Sequence, residues 1–448
     1  MTMTEEIRIF PRENGEHQRI HVAWPGSWSR IDFLKPGYAE ASLSCFSHIY
    51  RKFLVPACPW LFGNMILFHI PEDVKPDFSR NTGRYGKVCD PLTAAAAALR
   101  QGVRIRGGKP RFRSEAVRQF WQELEQRDAV HIVSGRLPVT TVIPVRRTTG
   151  YLTEAEKDAK LKVNASFFIM DRFDCATVYD QVGTVLGLCV KDGAVQNPPL
   201  YDREALLVKK DGTVEVRPVT LEELTFDIGG NLLRPGENCT LYTRPRRAKT
   251  PGGPGQKLVI IGTRVAAVAS GAVDIPASGF VLGLEEPLDI PPGTDVTYRG
   301  MEEITFGIQV GNSTLRDGEK TLSFRSRFYN LRGLEPVPYP PSLYPLDFEK
   351  ARAARIALGA DSSGAPVILW AEGAAKLGHT PGADSCGASL SEMAQICQDV
   401  GMVNAINLDG GGSAQLLIGN KRRLCVSDRN AGDFGEAERP VPLGLIVR

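Results

Sequence analysis

Three Asp-Gly turns, at Lys191-Asp192-Gly193, Lys210-Asp211-Gly212 and Arg316-Asp317-Gly318, limit what this chain can fold into more than any other feature. Asp-Gly accepts the positive φ that a two-residue hairpin demands, so the apolar runs beside these turns read as antiparallel strands. Candidate strands lie at 139–143, 184–190, 205–209, 258–268 and 280–284. A flexible loop is expected at 251–255 and a proline-rich connection at 336–345.

Helical signals are few. The alanine-rich run 91–99 is one, and 114–128 is another, with Val117, Phe120, Trp121 and Leu124 on one apolar face. A third follows the capping box Ser389-x-x-Glu392, with Leu390, Met393, Ile396, Cys397 and Val400 as the buried stripe and Gly401 as its stop. A strand at 403–408 then leads into three glycines. Beyond them come a strand at 414–418, a Gly419-Asn420 turn and a strand at 424–426. The expected fold class is α+β: a mixed, mostly antiparallel β-sheet core with a few packed helices. Residues 1–130, which hold Trp24, Trp28, Trp60 and Trp121, read as an N-terminal extension of unknown role, and 131–448 as the main domain.

Composition excludes several classes of function. A formal net charge of +3 over 448 residues predicts neither a nucleic-acid nor a membrane partner. The cluster Arg244, Arg246, Arg247 and Lys249 reads as a solvated loop or an anion contact. The start of the chain lacks the basic and apolar regions of a secretory signal, and the apolar stretch 53–70 is interrupted by Pro56, Pro59 and Gly63, so core is expected there, not a span. Nine cysteines without a C-x-x-C pair fit reduced thiols in a cytoplasmic protein and give no zinc motif. Of six histidines only His17 and His21 fall in H-x-x-x-H spacing, without the glutamate of a zinc-protease helix, and they read as solvated. No cofactor is required on this reading. A carboxylate-bound Ca²⁺ or Mg²⁺ stays open, as does the oligomeric state.

The segment Asn407-Leu408-Asp409-Gly410-Gly411-Gly412-Ser413 carries the chemistry. Three glycines after a carboxylate give a turn without Cβ atoms, able to approach a ligand and offer N–H groups to anionic oxygens. The β-type sequence after it excludes a dinucleotide fingerprint, and the missing Gly-Lys-Ser/Thr excludes a P-loop. A purely structural turn is the rival reading.

This segment resembles the signature of the phosphodiester glycosidase family. Val163-Asn164-Ala165-Ser166-Phe167-Phe168 is similar to the family's early motif, with Ala165-Ser166 in place of two glycines. Val310 to Gly318, Ala353 to Gly359 and Arg439-Pro440-Val441-Pro442 resemble further family segments, in the family's order over roughly residues 131 to 448. Ala371-Glu372-Gly373 stands where the family usually has A-D-G, an acid one methylene longer.

The resemblance implies hydrolysis of a sugar-1-phosphodiester at the anomeric carbon, releasing free sugar and a phosphomonoester. A phosphate leaving group is a weak base and needs little help from an acid. The site must supply carboxylates for the oxocarbenium-like centre and donors for phosphate. Asp409 and Glu372 are the expected catalytic carboxylates. Arg355, Arg439 and the amides of Gly410, Gly411 and Gly412 are expected to hold phosphate, and Asn164, Asn407 and Ser413 to bind sugar hydroxyls, with Phe168 as an apolar wall. Each has a plainer counterpart: Arg355 ion-paired to an acid, Asn164 holding a turn, Phe168 in the core. The expected partner is a small-molecule sugar phosphodiester. The alternatives are a non-catalytic carbohydrate- or phosphate-binding module and a phosphodiesterase cleaving P–O.

Overall fold

A computed structural model gives the architecture. It describes residues 3–12, 16–35, 65–68, 74, 95, 98–99, 101–127, 129–133, 141–144, 152–153, 155–169, 176–177, 179–180, 183–201, 203–244, 246–321, 352–373, 385–422, 439 and 441–448. The strands that position the site are β1 Thr4–Pro11, β2 His17–Trp24, β3 Ile31–Leu34, β4 Leu161–Asn164, β5 Ser313–Arg316, β6 Glu319–Lys320, β7 Arg355–Asp361, β8 Pro366–Ala371, β9 Met402–Asn407, β10 Leu416–Ile418, β11 Lys421–Arg422 and β12 Gly444–Val447. Two helices are described in full, α1 Glu115–Gln126 and α2 Leu390–Asp399.

Seven of these strands form one sheet in the order β1-β2-β8-β7-β9-β5-β6, and five form a second in the order β3-β12-β4-β10-β11. Every pairing in both is antiparallel. One hydrophobic core joins them: Ile356, Leu358, Ile368, Trp370, Ile406 and Leu408 of the first sheet meet Leu161, Val163, Leu416, Leu445 and Val447 of the second. Alternation sends the intervening residues to the other side of the first sheet. There Ala357, Leu369, Ala371 and Ala405 pack on Met393, Ile396 and Cys397 of α2. Each of the larger α2 side chains contributes about 1.5–3 kcal/mol by leaving water. The capping box forms as expected, with Ser389 and Glu392 bonding each other's backbone N–H.

Smaller antiparallel sheets built from residues 189–309 extend the same core. The run expected as one strand at 258–268 is a hairpin, Gln256–Ile261 and Arg264–Ser270, broken where Gly262 takes φ +57°. The mixed, mostly antiparallel character holds, with one parallel strand pair among the described residues, Met65–Phe68 on Thr141–Pro144. The expected connection at 336–345 and the strand at 424–426 lie outside the described residues. Of the run 91–99, Ala95, Ala98 and Leu99 are described, helical and buried.

The N-terminal part is not one extension. β1 and β2 add two strands to the large sheet, β2 pairing β8, while β3 pairs β12 near the end of the chain. Between β3 and β4, α1 buries Val117, Phe120, Trp121 and Leu124 in a separate core with Ile66, Phe68, Val103 and Val130. Thr141–Pro144 completes that unit's sheet, so a boundary near residue 130 does not coincide with an edge in the sheets.

Candidate active site

Asp409 lies two residues beyond the end of β9 and is 2% exposed. Its N–H donates to Ala165 O at 3.0 Å, and its carbonyl accepts from Asn164 Nδ2 at 2.8 Å. Asn164 Oδ1 accepts from the Gln415 N–H at 2.7 Å. One amide at the end of β4 therefore ties both ends of the glycine turn, using its opposed donor and acceptor. Asn164 is the plainer reading realised: a clamp whose amide is engaged by backbone, not a side chain open to a sugar.

The turn is tight and crosses between sheets. Gly411–Ser413 is a single 3₁₀ turn linking β9 of the first sheet to β10 of the second, not a hairpin within one sheet. A Cβ on Gly410 would stand 2.7 Å from Ala354 O and 3.6 Å from Arg355 Cδ, while Gly411 takes φ +61°. Of the expected amide cradle, Gly411 donates instead to Ala354 O at 2.8 Å, and the Ser413 N–H to Gly410 O at 3.1 Å. The Gly410 and Gly412 amides make no hydrogen bond among the described residues. Arg439 Nη1 donates to Ser413 Oγ at 3.0 Å, and its carbonyl accepts from Gln415 Nε2 at 2.6 Å, which brings the C-terminal segment to the turn.

Asn407 is fully buried, with its backbone carbonyl accepting from Gly311 and its Nδ2 donating to Leu408 O at 2.7 Å. Asn407 Oδ1 and Ser166 Oγ are buried polar atoms without a hydrogen-bond partner among the described residues. Such atoms need a water or a ligand to offset their desolvation. Phe168 points away from all this, into a core with Leu34, Leu152, Leu417 and Ile446. It is core, not a wall of the site.

Register places the remaining groups. Arg355 of β7 faces Ala371 of β8, and Ala357 faces Asn407 of β9, so Arg355, Glu372 and Asp409 gather at one end of three adjacent strands. Two strand spacings, about 10 Å, separate β8 from β9 at the backbone. Arg355 is 3% exposed and turns to the α2 face, where its Nε donates to Ala388 O at 3.2 Å. Glu372, also 3% exposed, turns to the other face. Its Oε1 lies 2.8 Å from His21 Nε2 and its Oε2 3.0 Å from Arg19 Nη1.

His21 is therefore not solvated: it is 7% exposed, with its ring edge-on to Trp370. Arg19 and His21 are the site residues that sequence reasoning passed over. Their signal in the sequence is the alternation of Gln18, Ile20 and Val22 with Arg19 and His21, the period of a strand and not of a helix. Among the described residues, no three His, Cys, Asp or Glu side chains converge to hold a metal ion. The Arg244–Lys249 cluster is engaged locally: Arg244 on Ile275 O, Arg246 on Glu222, Arg247 over Tyr242 and Lys249 on Asp274.

A sequence model of the phosphodiester glycosidase family matches residues 277–448. No curated protein matches the chain. Among solved structures, it is similar to a hypothetical protein from Synechocystis at 16% identity and a TM-score of 0.44, covering all of this chain and 62% of that one. It is also similar to the catalytic domain of zebrafish N-acetylglucosamine-1-phosphodiester alpha-N-acetylglucosaminidase, auto-inhibited by its pro-peptide, at 12% identity and a TM-score of 0.38, covering all of this chain and 83% of that one. A third is an exported protein from Burkholderia pseudomallei, at 15% identity and a TM-score of 0.40, with 97% of that chain covered. The part of the chain that matches the phosphodiester glycosidase family model, residues 277–448, holds Arg355, Glu372, Arg439 and the whole Asp409 turn.

Proposed function

We propose that this protein hydrolyses the glycosidic C–O bond of a small sugar-1-phosphodiester. The observation that carries the reading is the Asp409 turn: a buried carboxylate on a backbone that Asn164 clamps, with Arg355 beside the turn and Arg439 on its Ser413. Water replaces the phosphate oxygen at the anomeric carbon, giving free sugar and a phosphomonoester. Asp409 is the base or nucleophile, Glu372 the second carboxylate, and Arg355 and Arg439 with the Gly410 and Gly412 amides hold the phosphate. Asn407 Oδ1, a buried acceptor without a partner among the described residues, is suited to a sugar hydroxyl. Cys189, Cys239, Cys386 and Cys397 are free and buried, which fits the proposed cytoplasmic setting.

The test is turnover of a panel of sugar-1-phosphodiesters in ¹⁸O-water, with and without chelator. Label is expected in the sugar. Label in the phosphate points instead to P–O cleavage and overturns the reading, and binding without turnover makes the site a recognition module.

A further inference from the structure

We propose that Arg19 and His21 of β2 are the positioning residues for Glu372, so that the N-terminal hairpin is part of the active site. This rests on the reading of Glu372 as a working carboxylate. An ionised carboxylate only accepts hydrogen bonds, so His21 Nε2–H and Arg19 Nη1–H both donate to it, one to each oxygen. The pair of donors, one on each oxygen, fixes the plane of the carboxylate. Held in this way, it serves as a base or as a stabiliser of the cationic centre. That agrees with a leaving group that needs no acid.

The backbone around Glu372 is held as firmly as its side chain. Its N–H donates to Arg19 O at 3.0 Å. Ser385 Oγ bridges the two strands, donating to Glu372 O at 2.9 Å and accepting from Arg19 N–H at 3.1 Å. Trp370, two residues back on the same face, closes over the His21 ring. The side chains of Glu372 and His21 are 4% and 8% exposed, whereas Arg19 is 33% exposed and its Nε and Nη2 have no hydrogen bond among the described residues. The longer acid also acquires a purpose here. An aspartate at 372 would fall a methylene short of both β2 partners.

The experiment compares kcat, KM and thermal midpoint for His21→Gln, Arg19→Met, Arg19→Lys and Glu372→Asp on a sugar-1-phosphodiester that the wild type hydrolyses. His21→Gln, Arg19→Met and Glu372→Asp are expected to lower kcat by up to about 100-fold, the loss a misplaced catalytic group produces, with KM within threefold. Arg19→Lys, which keeps the cation, is expected to recover part of the Arg19→Met loss. The positioning role is overturned if the folded variants keep wild-type kcat, if only KM rises, or if activity falls only in step with the thermal midpoint. A wild type that turns over no phosphodiester overturns the functional reading instead, and the two failures differ in whether the parent protein is active.

Discussion

Asp409 and Gly410 are neighbours in sequence, yet their side chains answer to different demands. Replacing Asp409 by Asn changes charge but not shape, and the backbone bonds to Ala165 and Asn164 do not involve the carboxylate. Asp409→Asn is therefore expected to abolish turnover, with a thermal midpoint close to the parent's by calorimetry. Gly410→Ala does the reverse kind of damage. Its methyl would meet Ala354 O at 2.7 Å, so the turn or β7 must shift, at a cost of about 1–3 kcal/mol in urea denaturation. Full activity in Asp409→Asn would remove the central assignment. At this scale the residue types were legible and their directions were not. Nothing in the sequence around Asn164 and Phe168 tells that one amide clamps both ends of the turn while one ring turns into the core; only the packing shows it.

α2 was readable because everything that starts and stops it is local: the Ser389–Glu392 box, the buried stripe and Gly401 at φ +90°. The partners of β2 were not, because Arg19 and Glu372 are 353 residues apart and nothing nearby in the sequence marks the pairing. The same helix supplies a test of pH dependence. Burial pulls the Glu392 carboxyl up, but the Ser389 amide and the Arg352 and Arg12 guanidinium groups more than reverse it, so it titrates below the ordinary range. A carboxyl depressed in the folded state stabilises the protein above its unfolded pKa, about 4.3, and that share is lost as pH falls through the folded value. Urea midpoints of the wild type and Glu392→Gln should therefore differ at pH 7 and converge as the pH falls below 4. A gap that persists unchanged at the acid end would mean that charge is not what Glu392 contributes.

The whole molecule is divided differently from its sequence texture. Composition shifts near residue 130, and a reader of composition alone cuts there, because tryptophans and helices give way to short strands. The hydrogen bonds cross that line. β2 covers the edge of β8 along Ile20 to Ala23, β3 pairs all four residues of β12, and only the unit around α1 has a core of its own. A chain beginning at residue 131 would expose the β8 edge and leave Ile20, Val22 and Ile31 out of two buried clusters. Each such side chain removes about 1.5–3 kcal/mol of burial, and three together approach the 5–15 kcal/mol by which an ordinary domain is stable. A bare, apolar edge strand is also a template for aggregation. The 131–448 fragment is thus expected to be insoluble or to melt without a cooperative transition by circular dichroism, while a chain that retains β1 to β3 melts cooperatively. Were the fragment to melt within a few degrees of the full chain and keep its turnover, β1 to β3 would be an addition to the fold, and Glu372 would have to be held by something other than β2.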